Sequence, residues 1–346
     1  MDKPLKKNPF SLQLDPDLFQ QATEEEKAQQ VVTRESVSFM RDALRRLSHN
    51  KISMACVVTL ILVALIAFIV PSIYPYSYTR QDVTSKYLAP MEYSKKEQAK
   101  IAQGEYLFPH LMGTDSLGRD YASRVIYGTR ISLLVGFVSA IIVVIIGIIY
   151  GSVSGYFGGK VDMIMMRIVD VIYALPDVLI VILLSVAIKD LISASKNALI
   201  VRMGAGMVSI FIVFGLLYWV GMARQVRGQI LSIKEQEYVL ASRSIGASPA
   251  RIIRKHMIPN CVSVIIITAA MQIPSAIFTE SFLSFLGLGV SIPMPSLGSL
   301  ASEARSGLVS YPYLLIWPAL SIFLIVLSFN LLGNGLRDAF DPKLRA

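Results

Sequence analysis

Carboxylates set inside apolar sequence are the first residues of this 346-residue chain placed to do chemistry. Asp170, Asp177 and Glu280 stand in long runs with few other charges. An ionisable group at bilayer depth is costly and marks an ion, proton or substrate route by default. Asp177 follows Pro176, which removes a helical hydrogen bond and frees a carbonyl near Ile172 or Tyr173. Such a pair suits a cation, either a proton or the ammonium of an organic solute, or else a neighbouring subunit. Asp170 sits nearer the end of its run, where pairing with Arg167 is the simpler expectation. Asp177 and Glu280 are the candidates for a translocation path, and together they would also serve an ion-driven carrier as a proton relay.

Other chemistry is poorly supplied. The three histidines, His49, His110 and His256, have neither zinc-peptidase nor paired-ligand spacing, and there is no serine elbow. The stretch GYFGGKVD fails as a phosphate loop, because Ser154 takes the first glycine position and Val161 follows the lysine. Cys56 and Cys261 are too few and too apolar in setting for a disulfide framework or metal site. No catalytic residue, metal or cofactor is expected, and a net charge of +9 without basic–aromatic clusters does not indicate nucleic acid.

The elements that must carry these groups follow from composition. With 54% hydrophobic residues, 16% charged residues and mean hydropathy +0.57, the chain reads as an all-α polytopic membrane protein. Six spans are expected, at roughly 52–74, 131–155, 168–188, 203–222, 261–286 and 313–333. An even number puts both termini on one side. Of 33 Lys and Arg, 21 fall on the side of the termini and 12 on the other, 8 of those in the long 75–130 segment. The positive-inside rule then places both termini and the 223–260 loop in the cytoplasm, and 75–130 outside the cell. Residues 1–50 read as a polar tail ending in an interfacial helix with Phe39, Leu44 and Leu47 inward, and 51–346 as the membrane domain. No cleavable signal peptide is evident, the first apolar run reading as a retained anchor. Gly147, Gly151, Gly155 and Gly159 recur every four residues, a ridge that lets another helix approach closely.

The polar stretch Glu237–Asn260, EYVLASRSIGASPARIIRKHMIPN, is flanked by apolar runs and must lie outside the bilayer. Tyr238, Ala241, Ser242 and Ile245 share a small-sided helical face. Gly246 supplies a flexible joint, and Ser248 before Pro249 reads as an N-cap with proline at the first helical position. A second helix with Ile252, Ile253, His256 and Met257 should end before Pro259. The alternatives are a docking helix for a partner and a solvated basic loop.

These residues resemble the Glu-Ala-Ala loop of ABC-importer permeases, and most closely the form EYVxAAxxxGAS…RHxLPN of the oligopeptide and dipeptide branch. Glu237, Tyr238, Val239, Ala241, Gly246, Ala247, Ser248, His256, Pro259 and Asn260 match. Leu240, Ser242 and Ile258 depart from it. The stretch His110–Leu133 resembles the branch's HPLGTDxLGRDxxSRxxxGxRxSL, with Asp115, Arg119 and Asp120 more readily explained by capping and ion pairing than by substrate contact. SFLSFLGLGVSIPMPSLGSLASEAR and FNLLGNGLRDAFDPKLRA resemble two further stretches in the family's order. The resemblance implies a permease subunit with a coupling-helix loop, bearing Glu237, Tyr238, Ala241, Ser242, Gly246, Ala247, Ser248, His256 and Pro259. It implies a second homologous permease, two cytoplasmic ATP-binding subunits that hold the nucleotide, and an extracytoplasmic substrate-binding protein, all at a bacterial cytoplasmic membrane. Peptide is the implied cargo, with nickel, glutathione or another small solute as alternatives.

Overall fold

A computed structural model describes residues 39–194, 197–290 and 294–340. Residues 1–42 separate from a single unit of residues 43–346. The tail expected over residues 1–50 thus lies mostly outside the described residues, as do Phe39's side chain and the closing DPKLRA, residues 341–346. Apart from one antiparallel bridge between Thr114 and Asp120, the regular structure of the described residues is helical.

Helix α1 (Phe39–His49) leads to Asn50, whose side-chain oxygen accepts from the backbone N–H groups of Ile52 and Ser53, each at 3.1 Å, and so starts α2 (Lys51–Ile69). Ile61, Leu62, Leu65, Ile66 and Ile69 of α2 are exposed. In water such a surface would be a liability; against acyl chains it needs no cover. A short helix, α3 (Lys95–Ala102), sits in the polar segment and opens on a Ser94–Glu97 capping box.

The central helix is α4 (Tyr121–Phe157), begun by Asp120, whose carboxylate accepts from Ser123 N–H at 2.7 Å. Its 37 residues give a length of about 55 Å, well beyond the ~30 Å hydrocarbon core, so its first turns stand clear of the bilayer. The expected span 131–155 is the apolar part of this longer rod.

Three of the four ridge glycines lie against α9 (Trp219–Lys234). A Cβ at Gly151 would come within 2.5 Å of the Ala223 carbonyl oxygen, and one at Gly155 within 2.8 Å of Ile230, while Gly147 faces Met222. Lipid is as apolar as these side chains, so the contact is held by close van der Waals packing rather than by escape from water. Gly159 corrects the expected register: α4 stops at Phe157, Gly158 and Gly159 both take positive φ, and nothing lies near a Gly159 Cβ. Gly151→Ala, which drives a methyl into fixed backbone, should cost about 1–3 kcal/mol. Thermal melting in detergent would test this, and an unchanged midpoint would refute the tight contact.

The expected third span, 168–188, is replaced by two helices. α5 (Gly159–Ala174) and α6 (Asp177–Ser193) meet at 91° across Leu175–Pro176. Pro176 does more than bend the rod. It stands as the cap of α6 in extended conformation, and the Leu175 N–H closes the end of α5 on Ile172 O. α7 (Ala198–Met203) is short, and α8 (Ala205–Leu217) passes at Tyr218 into α9, so the fourth run continues to Lys234 instead of ending near 222. After α10 (Glu237–Ser244) and α11 (Pro249–Ile252), the chain forms α12 (Val262–Phe285), the short α13 (Leu297–Ala304) and α14 (Tyr313–Phe340). Five helical runs are long and apolar enough to cross a membrane, six if the bent pair counts as one.

Candidate functional site

At one end of the bundle, α9 hands over to a hook built from α10 and α11. Val239, Ile252 and Met257 are fully buried in the same apolar cluster as Val226 and Ile230 of α9. They anchor the hook and leave its other face free. Tyr238 is 42% exposed and Ile245 86%; Glu237, Ala241, Gly246 and Ser248 are exposed as well, with Ser242, Ala247 and His256 half-buried. The expected small-sided face is therefore solvent-facing. The Tyr238 and His256 rings lie 6.5 Å apart and hold the two arms side by side.

The turn between the arms is more rigid than a joint. Gly246 takes φ +81°, its N–H donates to Arg243 O at 3.0 Å, and Ala247 N–H donates to Ser242 O at 3.1 Å. Together these form a Schellman cap, in which a left-handed residue closes the helix end. Ser248 has the extended backbone of an N-cap before Pro249, but its hydroxyl makes no capping bond. The second arm does not end before Pro259. A π turn at Ile253–Met257, closed by Ile258 N–H on Ile253 O, is followed by a 3₁₀ turn over Ile258–Cys261, and the helix runs on into α12. Pro259 has no N–H to give, and the wider turn absorbs its ring without a break.

Behind the hook, Arg227 of α9 grips Asp162 of α5 with two bonds of 2.5 Å, and Ser154 donates to the same carboxylate at 2.5 Å. Asp170 pairs with Arg224 at 2.7 Å, and not with Arg167 as expected; the Arg224 guanidinium also covers the Tyr173 ring at 4.2 Å. Sequence spacing favoured the near arginine on the same helix, whereas packing brings α9 alongside.

The two path candidates are placed differently. Asp177 is exposed at the start of α6, in a cleft of about 500 Å³ lined also by Tyr173, Ile180, Tyr218 and Gly221. Among the described residues no Lys, Arg or His pairs with it. Glu280 is 0% exposed and sits in a nest of hydroxyls: Ser284 donates at 2.6 Å, Ser132 at 3.0 Å and Ser281 at 3.4 Å. Ser284 and Ser132 in turn accept from the backbone N–H groups of Val290 and Leu297, so this carboxyl ties α4 and α12 to the chain leading into α13. Glu280→Leu would strand those buried hydroxyls, at about 1–3 kcal/mol each, whereas Glu280→Gln keeps most of the bonds. A leucine variant that melts no earlier than the glutamine variant would refute the tie.

At the opposite end, Asp115 accepts from Arg119 at 2.6 Å and Arg124 at 2.7 Å, and both arginines reach Glu303 near the end of α13. His110 offers both ring nitrogens to carboxylates, Nδ1 to Asp120 at 2.7 Å and Nε2 to Glu97 at 3.2 Å. Burial alone would lower its pKa, but the Asp120 hydrogen bond and charge, with Glu97, outweigh it and raise the value. A raised histidine pKa adds stability that is complete below the unfolded value of about 6.5 and is lost as pH rises through the folded one. The midpoint of unfolding should therefore fall with pH across that window, and the fall should vanish in His110→Gln. An identical slope in both proteins would exclude His110 as the source.

The architecture is that of a polytopic α-helical membrane protein with a capped hook at one end and an ion-paired polar segment at the other. Residues 144–346 match the family of binding-protein-dependent transport system inner membrane components, and the chain belongs to that family. Residues 38–90 match the N-terminal membrane domain of oligopeptide transport permease C. The chain is 44% identical over 315 residues to a dipeptide transport system permease of Bacillus subtilis, covering 91% of this chain and 89% of that one. It is 39% identical over 314 residues to that organism's oligopeptide transport system permease, covering 91% and 93%. A glutathione transport system permease of Pectobacterium atrosepticum is 43% identical over 237 residues, covering 68% and 74%.

Proposed function

We propose that this chain is the membrane-spanning permease subunit of an ATP-driven importer for oligopeptides or dipeptides. The observation that carries this reading is the capped, solvent-facing hook between two membrane runs, in a chain 39–44% identical to peptide permeases over most of its length. The hook lies in the cytoplasm with both termini, and the 75–130 segment faces outward. ATP is bound and split by two cytoplasmic partner subunits, each pressing on one permease of a homologous pair. Tyr238, Ala241, Gly246 and Ser248 meet the partner directly, Glu237 and Ser242 flank them, and Ala247, His256 and Pro259 hold the second arm in place. ATP-driven closure pushes the hook. Through Arg227–Asp162 and the glycine ridge, that push reaches α4 and α5. An extracytoplasmic binding protein delivers the peptide, and the difference in its affinity between the two end states gives direction. Asp177, with no cation beside it among the described residues, meets the peptide's ammonium on the way through, and Glu280 braces the wall.

The test is uptake of a labelled dipeptide into proteoliposomes that hold the assembled transporter. Uptake should require ATP and the binding protein. Solute accumulation by this chain alone, without nucleotide, would overturn the reading in favour of an ion-driven carrier. The glutathione relative supports a second cargo, and competition by glutathione at dipeptide-like concentrations would favour it.

A further inference from the structure

Arg130 is the last charged residue of α4 before an uncharged stretch that begins at Ile131 and reaches Gly159. The uncharged helix from Ile131 to Phe157 measures about 40 Å, so centring it on the ~30 Å hydrocarbon core puts Arg130 about 5 Å beyond the core, in the head-group layer. The end of α2 sits at the same level: the Arg130 guanidinium carbon lies 5.3 Å from the Phe68 ring centroid and 5.9 Å from that of Tyr127. Tyr78 stacks on Tyr127 at 3.9 Å. Arg130, Tyr127 and Tyr78 border a recess of about 390 Å³, lined further by Tyr74, Ser123 and Ile126.

The guanidinium is held by rings but has no anion. Among the described residues, no carboxylate pairs with it, in contrast to Arg119 and Arg124 one to three turns earlier. Aromatic faces fix such a group in direction and leave its N–H fork free. A fork of this kind matches the paired oxygens of a phosphate. The recess is lined by Pro71 and Ser72 just past the end of α2, where Leu65, Ile69 and neighbouring Ile73 present an exposed apolar surface for acyl chains. Tyrosines at this depth form the amphipathic belt expected where hydrocarbon meets head groups.

We propose that Arg130 and the tyrosine-lined recess beside it hold the phosphate of a phospholipid head group, with the acyl chains lying along α2. The occupant is thus a membrane phosphodiester and not a soluble anion, and the site is independent of what the transporter carries.

The test uses the full chain, delipidated in mild detergent and titrated with phosphatidylglycerol, phosphatidylcholine or inorganic phosphate, with bound lipid counted by native mass spectrometry. One phospholipid of either class should bind more tightly than the rest. Arg130→Gln should weaken that site by about tenfold, a shift of ~1.4 kcal/mol and in the range of one charge-assisted hydrogen bond. Arg130→Lys, which keeps the charge but loses the fork, should fall between. Ile126→Trp fills the recess without touching the charge and should expel the same lipid, so the outcome does not rest on one variant folding. Arg80→Gln, on the same side, should change nothing. Equal lipid binding by wild type, Arg130→Gln and Ile126→Trp would overturn the proposal. So would displacement of the lipid by millimolar inorganic phosphate, or protection of Arg130 by a protein partner in the assembled transporter.

Discussion

Replacing Gly246 by valine should abolish uptake by the assembled transporter while leaving the chain inserted in the membrane. The cause is conformational. No atom lies within 4 Å of where a Gly246 Cβ would stand, so crowding contributes nothing. What the residue must supply is φ +81°, which a side-chain-bearing residue holds at a cost of about 1–3 kcal/mol, and a β-branched one at the upper end. That cost falls on the Schellman cap, whose two hydrogen bonds fix the angle between α10 and α11. Since ~1.4 kcal/mol is a factor of ten in an equilibrium, valine should leave the docking-competent hook a minor state. Asparagine tolerates left-handed backbone and should retain most of the activity, with alanine between. The measurement is ATP-dependent uptake alongside membrane abundance. Full uptake by Gly246→Val would remove the cap from the coupling mechanism.

A second large effect, on stability, is expected from Arg124→Met. Arg124 is 2% exposed and is shared between Asp115 and Glu303, which lie 9 and 179 residues away in sequence. Methionine would leave Asp115, also buried, facing Glu303 with only Arg119 between them. Breaking a buried pair in this way costs about 3–5 kcal/mol, mostly as uncompensated charge. Adding Asp115→Asn to Arg124→Met should restore part of the loss by removing that charge. Glu303→Gln should cost far less, because its side chain is 36% exposed and partly screened. Chemical or thermal unfolding in detergent orders the four proteins, and a mild Arg124→Met together with a severe Glu303→Gln would contradict an Asp115–Arg124–Glu303 network centred on the arginine.

Much of this architecture was legible because its signals are local. Hydropathy marked five of the six runs, and the i, i+3, i+4, i+7 spacing of Tyr238, Ala241, Ser242 and Ile245 marked the free face of α10. Ser248–Pro249 marked where α11 begins. What stayed hidden depends on partners distant in sequence. Asp170 chose Arg224 over Arg167 because α9 runs beside α5, and Arg124 met Glu303 only once α13 had packed on the start of α4. Proline in the sequence signals a disruption but not its kind. At Pro176 it yields a right-angled break, while at Pro259 the helix survives, since a turn with one extra residue was available there. The charge of Glu280 is plain in the sequence, but the serines that enclose it come from two helices, and only their meeting makes the nest.

That extra residue in the turn at Ile253–Met257 has an angular effect. Each residue of an α-helix advances the side chains by about 100°, so the bulge resets the rotational phase of everything downstream. Glu280 points into its serines, and the rim of α12 aligns with α4, relative to a hook whose own bearing is fixed by Gly246. The hook and the intramembrane wall are thus indexed to one another like teeth on a shaft, and in the coupling proposed above a tilt imposed at one end would reach the other in a set direction.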